Sequence, residues 1–314
     1  MRSLPDIRGH PTSPPIAWVG GKRSILAEIL GRFPLEFERY VEVFGGSGVV
    51  LFGKQTSPFE VWNDRHGDLY NFYHCVKYRH LELLQELRFL PLASREEFKL
   101  LKAFLEGNPF PAAHFTTEQE VAERHFTVPE ADELTAILTQ RCTMGDVHRA
   151  AAFFKLNRLS YGAGMTSFSS QPCDLRRFYG QIYTAHDRLS DVLLENKDFE
   201  GILQQYDKPG TFFYLDPPYY MAEDCYAVSF QNEDHHRLYE LLHNTQSKWL
   251  LSYNDDPFVR ELYKNYPQHR FTRLSNLVQR YQGGAEYGEL LIANFDMEER
   301  GRQHEQLQLF DHSY

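Results

Sequence analysis

Asp216-Pro217-Pro218-Tyr219 follows the apolar run Thr211-Phe212-Phe213-Tyr214-Leu215, so a short buried strand stops abruptly and presents a carboxylate and an aromatic ring. Each proline fixes its own φ and restricts the residue before it, which stiffens the loop. A rigid acid beside a rigid ring suits a flat partner with a hydrogen-bonding edge. The acid takes the edge and the tyrosine takes the face; a nucleobase is such a partner, and the exocyclic amine of adenine is a donor that a carboxylate accepts. A proline turn that merely closes a core strand would read the same way, so the tetrapeptide carries weight only in company.

The company lies in the first half of the chain. Tyr40-Val41-Glu42-Val43-Phe44 is rich in β-formers and runs into Gly45-Gly46-Ser47-Gly48, followed by the apolar Val49-Val50-Leu51-Phe52. A strand that breaks into a glycine loop before a helix is how an α/β sheet brings backbone close to a cofactor. The next strand-like run, Phe59 to Asp64, ends in an acid at about the offset where a carboxylate meets ribose hydroxyls in such folds. A cap on the helical segment from Leu69 to Lys77 is the plainer alternative for Asp64, and the two roles are compatible. Upstream, Trp18-Val19-Gly20-Gly21-Lys22-Arg23 lacks the spacing of a nucleotide phosphate loop, and no full G-x-G-x-x-G is present. A glycine loop, a ribose acid and no polyphosphate cradle fit S-adenosylmethionine best.

Taken together, Trp18 to Lys22, Phe44-Gly45-Gly46-Ser47-Gly48, Asn63-Asp64 and Asp216-Pro217-Pro218-Tyr219 resemble the Dam-like family of adenine-N6 DNA methyltransferases, in the family's order. Phe154-Lys155-Leu156-Asn157-Arg158-Leu159-Ser160-Tyr161-Gly162 is similar to its Leu-Asn-Arg-x-x-Tyr segment, and Asp198-Phe199 to the pair that frames the cofactor's adenine. The resemblance covers roughly residues 15 to 295. It implies a Rossmann-like S-adenosylmethionine-dependent methyltransferase of α/β class: a sheet covered by helices on both faces, with an inserted, mainly helical DNA-recognition domain.

It also implies roles. Asp216 and the Pro217 carbonyl would accept the two N–H bonds of the target amine, and Tyr219 would stack on the extruded base. Trp18, Gly21, Lys22, Phe44, Gly45, Gly46, Ser47, Gly48, Asp64, Asp198 and Phe199 would hold the methyl donor. Lys155, Asn157, Arg158, Tyr161 and Arg273 would face double-stranded DNA, with Tyr161 filling the gap left by the flipped base. No metal is required. After Tyr161 the chain reads Gly-Ala-Gly-Met-Thr, so the likeness does not extend to the segment that reads GATC in some members. Methylation of an RNA base or a protein amide, or a non-catalytic DNA-binding module on the same fold, are the competing readings.

The bulk numbers agree with a globular enzyme. Of 314 residues, 42% are hydrophobic and 24% charged. Cys75, Cys142, Cys173 and Cys225 are scattered, neither a disulfide framework nor a zinc site, which fits a reducing cytoplasm; a DNA substrate would place the protein at the nucleoid there. A net charge of −10 is unusual for a DNA-binding protein, but its distribution is uneven. Arg141, Arg149, Lys155, Arg158, Arg176 and Arg177 face only Asp146 and Asp174 in the same stretch, and three arginines between Arg270 and Ala285 face no acid. Such islands are either solvated faces or phosphate-binding surfaces.

To position these groups, alternation and turn residues predict strands near 39–44, 58–63, 192–196, 211–215, 248–253, 270–275 and 288–294. Helices are predicted near 22–31, 66–77, 176–190, 232–244 and 256–265. The helical spacing of Leu81-Leu84-Leu87 and Phe98-Leu101-Leu105 adds two helices over 79–106. The domain reading is an arm at 1–14, a catalytic domain from 15–78 and 175–296, a target-recognition insertion at 79–174, and a tail at 297–314. In that tail, Gln306, Leu307, Leu309 and Phe310 resemble the pentapeptide by which bacterial replication proteins attach to the sliding clamp; a helical turn folding back on the domain is the plainer alternative.

Overall fold

The structure, a computed structural model, describes residues 11–18, 20–89, 94–107, 127, 146–161, 164–169, 174–220, 230–274 and 286–302. Its strands are β1 (Arg39–Glu42), β2 (Phe59–Asn63), β3 (Val192–Glu195), β4 (Thr211–Leu215), β5 (Lys248–Asn254), β6 (Gln268–Leu274) and β7 (Glu286–Ala293). Its helices are α1 (Leu26–Gly31), α2 (Val49–Gly53), α3 (Gly67–Tyr78), α4 (His80–Phe89), α5 (Arg95–Leu105), α6 (Val147–Leu159), α7 (Tyr179–Leu189), α8 (Phe199–Tyr206), α9 (Asn232–Asn244) and α10 (Pro257–Leu262). Each predicted strand is present to within a few residues. The chain divides into two compact units, residues 21–66 with 191–314, and residues 1–20 with 67–190. Thus α3 and α7, predicted within the catalytic domain, cluster with the helical unit.

The first unit is built on one sheet, in the order β3-β2-β1-β4-β5-β7-β6. The first five strands in that order run parallel, and β7 is antiparallel to both β5 and β6. Strand order reverses between β1 and β4, and ligands of open α/β sheets bind at the carboxyl ends of strands at such a point. Because strand side chains alternate, the sheet has two chemically different faces. Val41, Val61, Phe213, Leu215, Trp249, Leu251 and Ile292 point to one face, where Phe199, Ile202 and Leu203 of α8, Leu238 and Leu242 of α9 and Val259 of α10 complete an apolar core. The opposite face is covered from α1 and α2: Phe33, just past α1, meets Phe212 edge-on at 4.7 Å, and Lys54, at the end of α2, lies over the Tyr40 ring at 4.3 Å. That second face carries buried polar groups, among them Glu42, Glu60, Ser252 and Glu289.

The second unit is helical. Helix α6 packs against α3, α4 and α5, and nearly every residue along it is buried. A helix enclosed on all sides shows no amphipathic stripe, so its pattern was not legible as helix in the sequence. Asp146 caps it by accepting from Arg149 N at 2.9 Å, and the Arg149 guanidinium joins Asp68 of α3 and the Leu105 carbonyl. Ser94 caps α5 in the same manner, accepting from Glu97 N at 3.0 Å. Among the described residues no helix is long and apolar enough to cross a membrane. Gln306, Leu307, Leu309 and Phe310 lie outside the described residues, as does most of the stretch between Gly107 and Asp146.

Candidate active site

The glycine loop owes its shape to its neighbours. Gly45 N donates to the Asn63 carbonyl at 2.7 Å and Gly48 N to the Gly45 carbonyl at 2.7 Å. A Cβ on Gly45 would stand 2.1 Å from the indole nitrogen of Trp62, so only glycine lets the loop lie this close to β2. Gly46 (φ 51°) and Gly48 (φ 70°) occupy the left-handed region, which glycine enters without strain. Asp64, at the end of β2, accepts from Gly46 N at 2.7 Å through Oδ2 and from His66 N at 2.8 Å through Oδ1. It therefore clamps the loop and turns its own backbone, rather than capping α3, which begins at Gly67.

Asn63 ties three strand ends together. Its amide donates to the Val43 and Lys197 carbonyls at 2.8 and 3.1 Å, and its oxygen accepts from Lys197 N at 2.8 Å. Asp198 caps α8 and also pairs with Arg65 and Arg237 at 3.2 and 3.3 Å. Phe199 and Phe44 lie 5.6 Å apart, and Phe230 closes on both at 5.7 and 5.9 Å. The Arg237 guanidinium covers the Phe199 ring at 4.3 Å. The result is an aromatic wall beside a glycine loop whose backbone is fixed. Phe230 and Arg237 escaped the sequence reading because nothing local marks a ring or a cation as belonging to a wall built from three separate segments.

The Asp216-Pro217-Pro218-Tyr219 turn follows the neighbouring strand, β4. Glu42 of β1 is in register with Tyr214 of β4, and Val43 N donates to the Tyr214 carbonyl at 3.0 Å, so the glycine loop and Asp216 leave the sheet side by side. Asp216 Oδ1 is 2.7 Å from the ammonium of Lys22, a side chain only 3% exposed. The same ammonium lies 4.6 Å from the centre of the Tyr219 ring, a cation–π distance. Burial pushes the Asp216 carboxyl up to about 6; Lys22 opposes the shift, Glu289 adds to it, and Arg273 opposes it. Above that value the group is a carboxylate, an acceptor for N–H donors. Glu42 sits nearby on the same face, with burial raising it to about 8 against the bond from Tyr40 (2.8 Å).

Behind Tyr219 lies a second acid that the sequence did not single out. The Tyr219 hydroxyl donates to Glu289 Oε2 at 2.6 Å and lies 3.4 Å from Ser252 Oγ. Glu289 is 1% exposed, and its other oxygen is ion-paired with Arg273.

The remaining expected residues belong to the helical unit or turn inward. Trp18 packs its ring against Phe153 at 6.0 Å. Asn157 donates to the Ala17 carbonyl at 2.8 Å, and Arg158 stacks on Phe178 at 4.0 Å. Tyr161 is 39% exposed, at the start of a small antiparallel bridge between Ser160 and Phe168. Lys155 corrects an expectation: it is buried and ion-paired to Glu97 at 3.2 Å, so in this conformation its ammonium neutralises an acid of α5 and is not offered to phosphate. Arg273, partly exposed, is ion-paired with Glu289.

A strand-end acid and ring beside a glycine loop, at the switch point of a parallel sheet, has counterparts among known proteins. The model of the D12 class N6 adenine-specific DNA methyltransferases matches residues 18–279. This chain belongs to that family. Relatives include a type II methyltransferase of Paramecium bursaria Chlorella virus NC1A, 23% identical over 256 residues, covering 81% of this chain and 87% of that protein. A type II methyltransferase of Lactococcus lactis subsp. cremoris is 22% identical over 301 residues, covering 88% of this chain and 94% of the relative. A DNA N-6-adenine-methyltransferase of Escherichia phage P1 is 26% identical over 265 residues, covering 78% of this chain but 30% of that longer protein. As a D12 class enzyme, the protein transfers a methyl group to the N6 amine of adenine in DNA. The family implies a methyl donor of the S-adenosylmethionine type.

Proposed function

We propose that the D12 class enzyme holds S-adenosylmethionine against the Gly45–Gly48 loop and presents a flipped adenine to Asp216, the Pro217 carbonyl and Tyr219. The observation that carries this reading is the juxtaposition of Asp216 with the glycine loop at the β1/β4 switch point, its carboxylate held by buried Lys22. The donor residues fit such a molecule: Gly45 admits no side chain, Asp64 offers a carboxylate beside the loop, and Phe44, Phe199 and Phe230 supply an apolar wall for an adenine ring. When bound, the donor supplies an electrophilic methyl group.

The protein's part is to make the amine nucleophilic. The N6 lone pair is delocalised into the ring; two fixed acceptors on its N–H groups favour the tetrahedral nitrogen formed during attack, a stabilisation specific to the transition state. Asp216 accepts one N–H and the Pro217 carbonyl the other, while Tyr219 stacks on the base, a contact worth about 1–3 kcal/mol. Lys22 keeps the carboxylate ionised and aimed. Asn157, Arg158 and Tyr161 are proposed to face the duplex, with Tyr161 inserting where the adenine leaves.

The decisive experiment compares Asp216→Ala with wild type. Methyl incorporation into unmethylated DNA is expected to vanish, while donor affinity by calorimetry stays within a few-fold. Near wild-type turnover in the variant would overturn the assignment.

The tail reading is a separate, finer proposal: Gln306, Leu307, Leu309 and Phe310 anchor the enzyme to a bacterial sliding clamp and so to newly replicated nucleoid DNA. Capture of clamp by wild type but not by the Leu309→Ala/Phe310→Ala variant supports it, and equal capture, or none, removes it.

A further inference from the structure

We infer that Glu289 is the positioning residue for Tyr219, and that the ion pair it makes with Arg273 is what allows a second carboxylate to be buried beside Asp216. The inference rests on the proposed stacking role of Tyr219.

Its basis is register. Glu289 of β7 stands opposite Asn254 of β5 and Phe271 of β6. Ser252 and Arg273 lie two residues along from those partners, on the same face and within diagonal reach. Tyr219, leaving β4 after two prolines, drops its hydroxyl between Glu289 Oε2 (2.6 Å) and Ser252 Oγ (3.4 Å). Burial and the neighbouring Asp216 and Glu289 carboxylates hold the phenol far above its ordinary value, so it donates rather than ionises.

Stacking alone needs no hydroxyl, since a phenylalanine offers the same face. The hydroxyl matters for orientation, because rotation of a ring about its Cβ–Cγ bond is soft. Anchored at one end by Glu289 and covered by the Lys22 ammonium at 4.6 Å, the ring plane has little freedom left. An unpaired carboxylate at this depth would be costly, and a buried acid beside Asp216 would be worse. Arg273 supplies the missing charge. The row Asp216, Lys22, Tyr219, Glu289, Arg273 thus alternates in sign from the reacting acid to the edge of the sheet.

A double-mutant cycle on the full chain tests this, read as kcat and KM for methyl incorporation into unmethylated chromosomal DNA, with donor affinity measured separately. Glu289→Gln keeps an amide oxygen as acceptor but removes its charge, and is expected to lower kcat by about fivefold, the difference between a charged and a neutral hydrogen bond, with donor affinity within about twofold. Tyr219→Phe is expected to lower kcat similarly. In the Tyr219→Phe background, Glu289→Gln should cost less than about twofold further, because the bond it acts through is gone. Additive losses would overturn the inference while leaving the stacking role of Tyr219 intact. Wild-type turnover in Tyr219→Ala would overturn the stacking role and this inference with it.

A second readout separates positioning from mere structural support. The groups facing Asp216 are Lys22, Glu42, Tyr214, Tyr219, Arg273 and Glu289. Glu289 raises the Asp216 carboxyl, so Glu289→Gln should move the acid limb of the kcat/KM profile below that of wild type. An unmoved limb would count against the charge of Glu289 acting at the reacting acid.

Discussion

At the scale of single residues, Asp64 does more than one job. Both carboxylate oxygens accept backbone N–H groups, one from Gly46 and one from His66, so the residue shapes the loop before any donor arrives. Asp64→Ala should weaken S-adenosylmethionine by about 1–3 kcal/mol, the scale of a lost buried polar contact. Asp64→Asn can still accept one of these bonds with its amide oxygen, and should recover thermal stability without recovering donor affinity. Calorimetric affinity unchanged in both variants would leave Asp64 with a purely structural part. Gly45→Ala is the sterner case, since its new methyl meets the Trp62 indole at 2.1 Å and the loop or the ring must move. Donor binding is expected to fall well beyond the loss in Asp64→Ala, which a side-by-side titration would show.

At the scale of elements, β1 ends in an acid that its own strand pattern buries. Glu42 accepts from the Tyr40 hydroxyl and its carboxyl is raised from 4.5 to about 8 by burial. Between those values the folded chain keeps a proton that the unfolded chain has already released. Unfolding therefore releases a proton, and stability must fall as pH rises through this window, by up to about 1.4 kcal/mol per pH unit from this group. Glu42→Gln removes the contribution. Urea unfolding at about pH 6 and about pH 8 should show a larger drop for wild type than for the variant. Equal drops would mean that Glu42 is ionised in the folded state at both. The alternation of Tyr40, Val41 and Glu42 announces which face the acid takes, but not that a tyrosine and the start of α2 shut water away from it.

At the scale of the whole molecule, charge that looks available in the sequence is partly committed inside the fold. Lys155→Met should lower stability by about 3–5 kcal/mol, because it leaves Glu97 buried and unpaired, and should leave the salt dependence of DNA binding unchanged. Arg177, exposed on the helical turn Leu175–Phe178, should behave oppositely: Arg177→Glu is expected to reduce the salt slope by about one unit with little loss of stability. A salt titration that moves for Lys155→Met and not for Arg177→Glu would reverse this division. The sequence alone determined the strands, the glycine loop and the Asp-Pro-Pro-Tyr turn, because two-residue alternation and Gly/Pro punctuation are local signals carried within a few residues, and the order of its motifs carried the family resemblance. It also determined that Asp64 and Asp216 end their strands. Only the tertiary structure decided which charges are paired: α6 hides Lys155 because it is enclosed on all sides, and Glu289 reaches Tyr219 across 70 residues of chain. Local patterning fixes where a strand ends, but pairing between distant carboxylates and cations depends on strand order and register, which the order β3-β2-β1-β4-β5-β7-β6 sets through contacts no single segment encodes.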